Sequence, residues 1–213
     1  MTYPVHEQFS SFQGEGVFTG YPAYFIRLAG CPLQCSFCDV KSSWGNIGSS
    51  LYSAEELVSS VVTARQSRCV ITGGEPIIHD LLPLANALEK RKVSIHLETS
   101  GYKNGACSPS KFSHITVSPK EAGLPTQDWL RSASCLKIVV ASVEKMKHWQ
   151  DYYWRVSPQL PSHAVVYWTP EWSQRKDKAL LDSIASLISK GDTFTYPHKF
   201  VAGWQIHKCY GVD

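Results

Sequence analysis

The sequence predicts an α/β protein, a partial (β/α) barrel of about six parallel strands preceded by an N-terminal hairpin. Short apolar segments alternate with segments of helical period, which indicates parallel βα units. The chain has 213 residues, fewer than a complete eightfold barrel usually needs. Polar and glycine-rich motifs follow four of the predicted strands, and ligands bind at that edge of parallel α/β sheets. We therefore expect one domain over residues 1–213, with its functional site at the carboxyl ends of the strands.

The N-terminal hairpin is predicted from residues 5–29, which read as strands around a turn. Gln13-Gly14-Glu15-Gly16 forms that turn, where two glycines indicate either a plain hairpin or close approach by another group. Arg27 interrupts the apolar strand 23–29. A buried guanidinium needs a carboxylate or phosphate partner, so we expect either an internal acid or a carboxylate on a ligand.

The remaining elements follow from periodicity and capping signals. Ser53 to Glu56 has the pattern of a capping box and begins a helix. Other helices are expected from Asp80, around 143–153, and over 177–190, where Gly191 ends the last one. The short apolar runs predict parallel strands at 68–72, 93–98, 114–117, 136–140 and 164–168.

Three cysteines follow the predicted strand 23–29 with the spacing C-x3-C-x2-C: Cys31, Cys35 and Cys38. Their thiolates can anchor a [4Fe-4S] cluster and leave its fourth iron without a protein ligand. A zinc site would require a fourth Cys or His in a second knuckle, and neither His6 nor His79 lies in one. A disulfide would require an oxidising compartment. The spacing favours an iron–sulfur site that is open to a small chelating molecule.

The composition is that of an ordinary globular protein, with 43% hydrophobic and 18% charged residues. A net charge of +3 gives no argument for direct nucleic-acid binding. Neither a secretory signal nor an apolar run of about 20 residues is visible. We therefore expect a cytoplasmic protein without a membrane segment. The other cysteines are expected to pack in the core: Cys69, Cys107, Cys135 and Cys209.

The cysteine motif together with Gly73-Gly74-Glu75-Pro76 resembles the radical S-adenosylmethionine superfamily. Further motifs are similar to those of the 7-carboxy-7-deazaguanine synthase family: Phe12 to Gly16, Arg27 to Cys31, Thr72 to Pro76, Glu98 to Gly101, Ser118 to Lys120, and the tail 205–212. The resemblance covers residues 1–140 well and residues 141–197 weakly.

This resemblance implies a carbon–nitrogen lyase with a barrel of the radical-SAM type. Cys31, Cys35 and Cys38 would hold a [4Fe-4S] cluster, and S-adenosylmethionine would chelate the open iron. The enzyme would convert 6-carboxy-5,6,7,8-tetrahydropterin to 7-carboxy-7-deazaguanine with loss of ammonia, in queuosine-type 7-deazapurine biosynthesis. A low-potential electron donor and a homodimeric state are also implied.

The resemblance also assigns site residues, among which the cysteines, Arg27 and Glu15 would be catalytic. The cofactor-binding residues would be Phe37, Cys38, Asp39, Gly73, Gly74, Glu75, Ser100, Ser118, Pro119 and Lys120. The substrate-binding residues would be Phe12, Gln13, Gly14, Glu15, Arg27 and Thr72, with Arg27 on the substrate carboxylate. Residues 1–22 would form a substrate-binding extension. The tail 198–213, with His207 and Lys208, would either close the pocket or remain a frayed end.

Two positions depart from the family pattern. The family commonly has Thr where this chain has Val40, and that Thr hydroxyl ligates a magnesium ion. Valine offers no oxygen, so either other oxygens hold Mg²⁺ here or the ion is dispensable. Tyr167-Trp-Thr-Pro170 stands where the family usually shows a Gln-Pro pair. Two alternatives remain open: a radical enzyme with another substrate, such as a glycyl-radical activating enzyme, and a non-enzymatic metal-binding protein.

Overall fold

A computed structural model describes residues 1–191 and 197–212. Its strands are β1 (Thr2–Phe12), β2 (Pro22–Leu28), β3 (Ser50–Ser53), β4 (Arg68–Gly73), β5 (Ser94–Thr99), β6 (His114–Val117), β7 (Cys135–Val140), β8 (Val165–Pro170) and β9 (Lys199–Ala202). Its α-helices are α1 (Ala54–Thr63), α2 (Leu82–Lys90), α3 (Gln127–Ser132), α4 (Val143–Val156), α5 (Lys178–Gly191) and α6 (Ile206–Tyr210). No helix in these ranges is long and apolar enough to span a bilayer.

The described strands form one sheet in the order β3-β1-β2-β4-β5-β6-β7-β8-β9. In this order, every neighbouring pair from β2 through β4 to β9 is parallel. Strand β1 runs antiparallel to both of its neighbours, β2 and β3. The partial barrel and its N-terminal hairpin are thus confirmed. The parallel run includes β9 as one strand more than the six expected, and β3 adds a short antiparallel edge.

The outer face of the sheet carries the main hydrophobic core. Because side chains alternate along a strand, Ile26, Ile71 and Leu97 share this face and are almost completely buried. Helix α1 contributes Leu57 to the same core. The capping box at its start is confirmed: Glu56 N donates to Ser53 Oγ at 3.2 Å, and Ser53 N donates to Glu56 Oε2 at 2.7 Å.

The inner face is mixed in character and lines a central cavity. At its apolar part, Phe9 stacks on Phe25 with ring centroids 5.2 Å apart, and Val70 completes this cluster. Two residues further along β2 and β4, the paired positions are Arg27 and Thr72. The inner face therefore becomes polar towards the carboxyl ends of the strands.

The loop between β1 and β2 lies at the opposite, amino ends of the parallel strands. Its Phe18 ring lies 4.5 Å from the ring of His96 and 5.0 Å from that of His114, centroid to centroid. The guanidinium carbon of Arg68, the first residue of β4, lies 4.6 Å from the Phe18 centroid. This cluster of Phe18, Arg68, His96 and His114 is called the floor cluster below.

The C-terminal tail runs from β9, at one end of the sheet, to the hairpin near the other end. Ile206 N donates to Gly14 O at 3.0 Å, and Tyr210 packs edge-on against Phe12 with centroids 5.5 Å apart. The tail therefore covers the gap that the partial barrel leaves. Of the expected tail segment 198–213, Asp213 lies outside the described residues.

Candidate active site

A cavity of about 370 Å³ opens at the carboxyl ends of the strands, where the polar motifs were expected. It is lined by all but one of the predicted site residues, the exception being Pro119. The structure therefore brings together the cysteine loop, the hairpin turn, the glycine motif and the tail: Phe12 to Glu15, Arg27, Cys31, Cys35, Phe37 to Asp39, Thr72 to Glu75, Ser100, Ser118, Lys120, His207 and Lys208.

The three cysteines lie directly after β2 in a loop held by backbone hydrogen bonds. Cys31 N donates to Trp44 O at 2.9 Å, and Cys38 N donates to Cys35 O at 3.0 Å. All three thiols are free, half-buried and part of the cavity wall. Burial raises the pKa of Cys35, as do Cys31 and Cys38, while Lys120 opposes the rise.

The three thiols of the loop suit an iron–sulfur cluster by their chemistry and number. In the described part of the chain, no group of three or more His, Cys, Asp or Glu side chains is close enough to hold one metal ion. The thiolates of a [4Fe-4S] cluster bind different irons and so lie further apart than the ligands of one ion. Three free thiols on one cavity wall therefore fit that cluster.

Gly73 and Gly74 pack the glycine motif against the start of the cysteine loop. A Cβ atom on Gly73, whose φ is +152°, would lie 2.3 Å from Leu28 O, and one on Gly74 would lie 2.3 Å from Gly30 O. The backbone makes the same approach through Glu75 N, which donates to Gly30 O at 2.8 Å. Side chains are therefore excluded here by the chain's own backbone, a constraint that needs no ligand.

Glu75 is almost completely buried and braces the neighbouring strand end. Its Oε1 accepts from Thr99 Oγ1 at 2.5 Å, and its Oε2 accepts from Ser100 N at 2.8 Å and from the Ser100 hydroxyl. Four hydrogen bonds to one carboxylate, the fourth from Ile77 N at 3.4 Å, fix the end of β4 relative to that of β5. Glu75 is thus a positioning group for the cavity wall.

Lys120 brings a cation to the cysteine side of the cavity. Its Nζ donates to Ser118 O at 2.9 Å and to Ser118 Oγ at 2.6 Å. Burial and the nearby Lys137 together lower the pKa of Lys120 to about 8, against the opposing effect of Cys35 and two glutamates. The lysine is therefore held by neutral oxygens close to the thiols.

Lys137 joins two carboxylates inside the barrel. Its Nζ lies 3.1 Å from Glu15 Oε2 and 3.2 Å from Glu98 Oε2. Burial alone would raise the pKa of Glu15, but Lys137 and Gln205 outweigh it and lower that pKa. Burial raises the pKa of Glu98, and Glu15 adds to that rise against the opposing effect of Lys137. Lys137 therefore lowers the pKa of Glu15 below its usual value, whereas burial keeps that of Glu98 above it.

Arg27 has an internal partner and unused donors. Its Nε lies 2.5 Å from Glu7 Oε1 on the adjacent strand, so an internal acid does satisfy part of the guanidinium. Within residues 1–191 and 197–212, no hydrogen bond involves its two terminal nitrogens. Because Arg27 also lines the cavity, those nitrogens are available to a ligand.

The tail completes the cavity wall through polar contacts. Gln205 Nε2 donates to Glu15 Oε1 at 2.9 Å and to Asp39 Oδ2 at 3.3 Å. Lys208 Nζ lies 2.6 Å from the same Asp39 oxygen. Burial would raise the pKa of Asp39, but Lys208 and Gln205 lower it overall. The tail is therefore attached to both the hairpin and the cysteine loop.

Sequence reasoning missed several residues of this wall. Lys137, Gln205 and Trp172 line the cavity but were given no role. Lys137 interrupts an apolar strand as Arg27 does, so the same argument about buried charge could have found it. Gln205 and Trp172 carry no comparable local signal, because their position depends on how the tail and the loop after β8 fold over the sheet.

Comparisons with known proteins agree with this geometry. The model of the radical SAM superfamily matches residues 25–146. A 7-carboxy-7-deazaguanine synthase from Synechocystis sp. is 38% identical over 176 residues, which are 83% of this chain and 83% of the relative. Another from Escherichia coli (strain K12) is 44% identical over 142 residues, 56% of this chain and 62% of the relative.

Solved structures give the same result. The crystal structure of QueE from Escherichia coli superposes with a TM-score of 0.76 and 32% identity, covering 95% of this chain and 94% of that one. The crystal structure of Streptococcus suis SuiB bound to S-adenosylmethionine shares the fold alone, with a TM-score of 0.52, 15% identity, and coverage of 85% of this chain and 47% of that one. The chain is therefore an enzyme that belongs to the 7-carboxy-7-deazaguanine synthase family of the radical SAM superfamily.

Proposed function

We propose that this enzyme converts 6-carboxy-5,6,7,8-tetrahydropterin to 7-carboxy-7-deazaguanine with release of ammonia, as a step in 7-deazapurine biosynthesis. The observation that supports this most is the meeting of three free cysteines and the half-satisfied guanidinium of Arg27 in one cavity. A reaction on an anionic small molecule needs both groups at one place. A non-enzymatic metal-binding role is wrong for a member of this enzyme family, and the two relatives compared above are 7-carboxy-7-deazaguanine synthases rather than glycyl-radical activating enzymes.

Cys31, Cys35 and Cys38 would hold a [4Fe-4S] cluster near Lys120, with S-adenosylmethionine beside it. When bound, these groups supply the reducing electron and the hydrogen abstraction that side chains cannot provide. The polypeptide would supply the shape of the cofactor pocket: Phe37, Asp39, Gly73, Gly74, Glu75, Ser100, Ser118 and Lys120 border it, and Pro119 would support this wall from behind.

Arg27 would bind the substrate carboxylate through its two terminal nitrogens. Glu7 holds Nε, so the planar guanidinium presents its other edge in the geometry that suits a carboxylate. Thr72 pairs with Arg27 across the β2–β4 ladder and would add a hydroxyl to the same subsite.

The hairpin turn would form hydrogen bonds with the polar edge of the pterin. Gln13 is buried, and its Nε2 donates to Glu98 Oε1 at 3.3 Å, which fixes the amide. Glu15 is kept charged by Lys137 and would accept hydrogen bonds from ring N–H groups. Phe12 and Gly14 would supply the surface on which the ring lies. Residues 1–22 would thus be a substrate-binding extension of a single domain.

The setting of the enzyme follows from this chemistry. A cluster that must be reduced needs a low-potential electron donor, and free thiols favour a reducing compartment such as the cytoplasm. We also expect a homodimer and a tail that covers the pocket during turnover.

Anaerobic turnover tests the proposal. Reconstituted protein incubated with the tetrahydropterin, S-adenosylmethionine and a reductant should release ammonia and a deazapurine in equal amounts. Arg27→Ala should keep its cluster absorbance and lose turnover, whereas Arg91→Ala, a change at an exposed arginine, should behave as the unaltered protein. A fully clustered protein that forms no product would contradict the assignment, and full activity of Arg27→Ala would remove Arg27 from the site.

A further inference from the structure

The loop after the third cysteine offers few oxygens to the magnesium ion that the family resemblance implies. Mg²⁺ requires near-octahedral oxygen coordination, and the Val40 side chain has none. The Val40 carbonyl already accepts from Ser43 N at 3.0 Å and from Ser43 Oγ at 2.7 Å. Asp39 Oδ2 already accepts from Lys208 and Gln205. With only the second Asp39 oxygen left, this loop does not supply the ligands of a magnesium site.

A protein cation stands at this corner of the cavity. Lys208 Nζ lies 2.6 Å from Asp39 Oδ2 and 5.3 Å from the ring centroid of Trp172. Its side chain is only 21% exposed, and all three residues line the cavity. The ammonium is thus held in place between a carboxylate and an aromatic face, both of which favour a positive charge.

This ammonium has donors to spare. A lysine ammonium carries three N–H donors, and over the described ranges Asp39 is the only hydrogen-bond acceptor that Lys208 contacts. The other cations of the cavity are more fully engaged: Lys137 bridges two glutamates, and Lys120 donates twice to Ser118. Lys208 therefore has two N–H groups left for a ligand, whereas Lys137 and Lys120 have one each. Arg27 keeps its two terminal nitrogens.

We propose that Lys208 takes the place of a divalent metal in this chain and binds, together with Arg27, the carboxylate of the substrate. The proposal rests on the proposed function, because the pterin carboxylate is the anion concerned. Asp39 and Trp172 are positioning residues that hold the ammonium at the cavity wall. Substrate binding is consequently independent of magnesium and dependent on Lys208.

Binding of 6-carboxypterin, an oxidised and unreactive analogue, tests this without turnover. Its fluorescence can be titrated with anaerobic, cluster-loaded protein and S-adenosylmethionine, in excess EDTA or in magnesium chloride. The unaltered protein should give Kd values that agree within about twofold in the two buffers. Lys208→Met should raise Kd about tenfold or more in both, as loss of a charged hydrogen bond does. Lys208→Arg should recover part of the affinity.

Two controls separate the charge from the fold of the tail. Lys41→Met removes an exposed lysine from the loop after the third cysteine and should leave the Kd for 6-carboxypterin unchanged. Tyr210→Ala removes the contact with Phe12 and loosens the tail while it keeps the ammonium, which hydrogen exchange over 205–212 would report. If Tyr210→Ala raised Kd as much as Lys208→Met for equal loosening of the tail, Lys208 would have a structural role only and the proposal would fail.

Other outcomes are equally decisive. Magnesium that tightens binding to the unaltered protein about tenfold, or a Lys208→Met variant that binds normally, overturns the proposal while the proposed function stands. An unaltered protein that binds no pterin in either buffer contradicts the proposed function itself, and the role of Lys208 falls with it.

Discussion

The Nε atom of Arg27 lies 2.5 Å from Oε1 of Glu7, its direct partner across the antiparallel ladder of β1 and β2. The Glu7 carboxylate contacts the Nε edge of the guanidinium. Arg27 also lines the cavity, so the edge with the two terminal nitrogens is left for a ligand. A guanidinium held in this way loses little side-chain entropy when a carboxylate binds. The N-terminal strand would therefore contribute to the proposed substrate subsite through Glu7, which does not itself line the cavity.

Replacement of Glu7 should weaken binding without affecting the cluster. Glu7→Gln removes the charge that orients Arg27, so we expect Kd for 6-carboxypterin to rise about three- to tenfold. Cluster absorbance should not change, because among the described residues the side chain of Glu7 pairs with Arg27 and with no residue of the cysteine loop. Glu55→Gln, at an exposed glutamate of α1, is the matched control. A normal Kd for Glu7→Gln would show that Arg27 needs no such partner.

Removal of Lys137 should destabilise the fold. Lys137→Met leaves Glu15 and Glu98 close together and without their cation, and loss of one member of a buried ionic group costs about 3–5 kcal/mol. The free energy of unfolding of the cluster-free protein, measured in urea, is the test. Lys147→Met, at a lysine that is 82% exposed in an i,i+4 pair, should change it by less than about 0.5 kcal/mol.

A second variant keeps this prediction testable if the first is too unstable to purify. Adding Glu98→Gln to Lys137→Met removes one of the two unpaired carboxylates and should recover part of the lost stability. No recovery, or a loss below about 1 kcal/mol for Lys137→Met, would mean that water compensates the two glutamates.

The floor cluster predicts a loss of stability in mild acid. Burial lowers the pKa of His96 to about 3 and that of His114 to about 4, with Arg68 nearby lowering both and His114 also lowering that of His96. Both folded pKa values lie below the histidine value of about 6.5 in an unfolded chain. At a pH between the folded and the unfolded values, the unfolded state therefore binds more protons than the folded state. The free energy of unfolding is therefore unaffected by the two histidines above about pH 6.5. On acidification it falls by about 1.4 kcal/mol per pH unit for each histidine.

Urea unfolding of the cluster-free protein at several pH values would measure that slope. His114→Gln should reduce the slope between pH 6 and pH 4, since one of the two titrating groups is gone. His163→Gln, at an exposed histidine, should leave it unchanged. Equal slopes for all three proteins would exclude the floor cluster as the acid-sensitive element.

Gly14 should be intolerant of any side chain because of the tail. A Cβ atom there would lie 1.8 Å from Nδ1 of His207, so Gly14→Ala has to displace His207. We expect faster hydrogen exchange over 205–212 and a Kd for 6-carboxypterin raised several-fold. Gly45→Ala is the control, because its Cβ would meet nothing closer than 4.0 Å. Unchanged exchange in Gly14→Ala would show that the tail is not anchored on the hairpin.

The hairpin, the parallel strands and the longer helices could be predicted because each carries a local signal. Ser53 and Glu56 specify the start of α1, and apolar runs specify the central strands. The elements that were missed are short: β3 and β9 have four residues each, and α3 and α6 have six and five. Such segments gain their order from pairing or packing with elements distant in sequence.

The same division holds for the site. The cysteines and Arg27 could be predicted from the sequence, because reactive or charged side chains are unusual in and beside an apolar strand. At Gly73 and Gly74 the chain's own backbone occupies the space that a Cβ would need, a constraint that the sequence pattern does not show. Contacts such as Gln205 with Asp39 join residues from opposite ends of the chain, and no local pattern encodes them.

The floor cluster has a kinetic consequence. Phe18 packs against His96 and His114 at the amino ends of the strands, whereas the cysteines lie at the carboxyl ends. We therefore expect the proposed substrate and cofactor to reach the cavity from the cysteine side. If they share that route, product-inhibition kinetics should show an ordered addition.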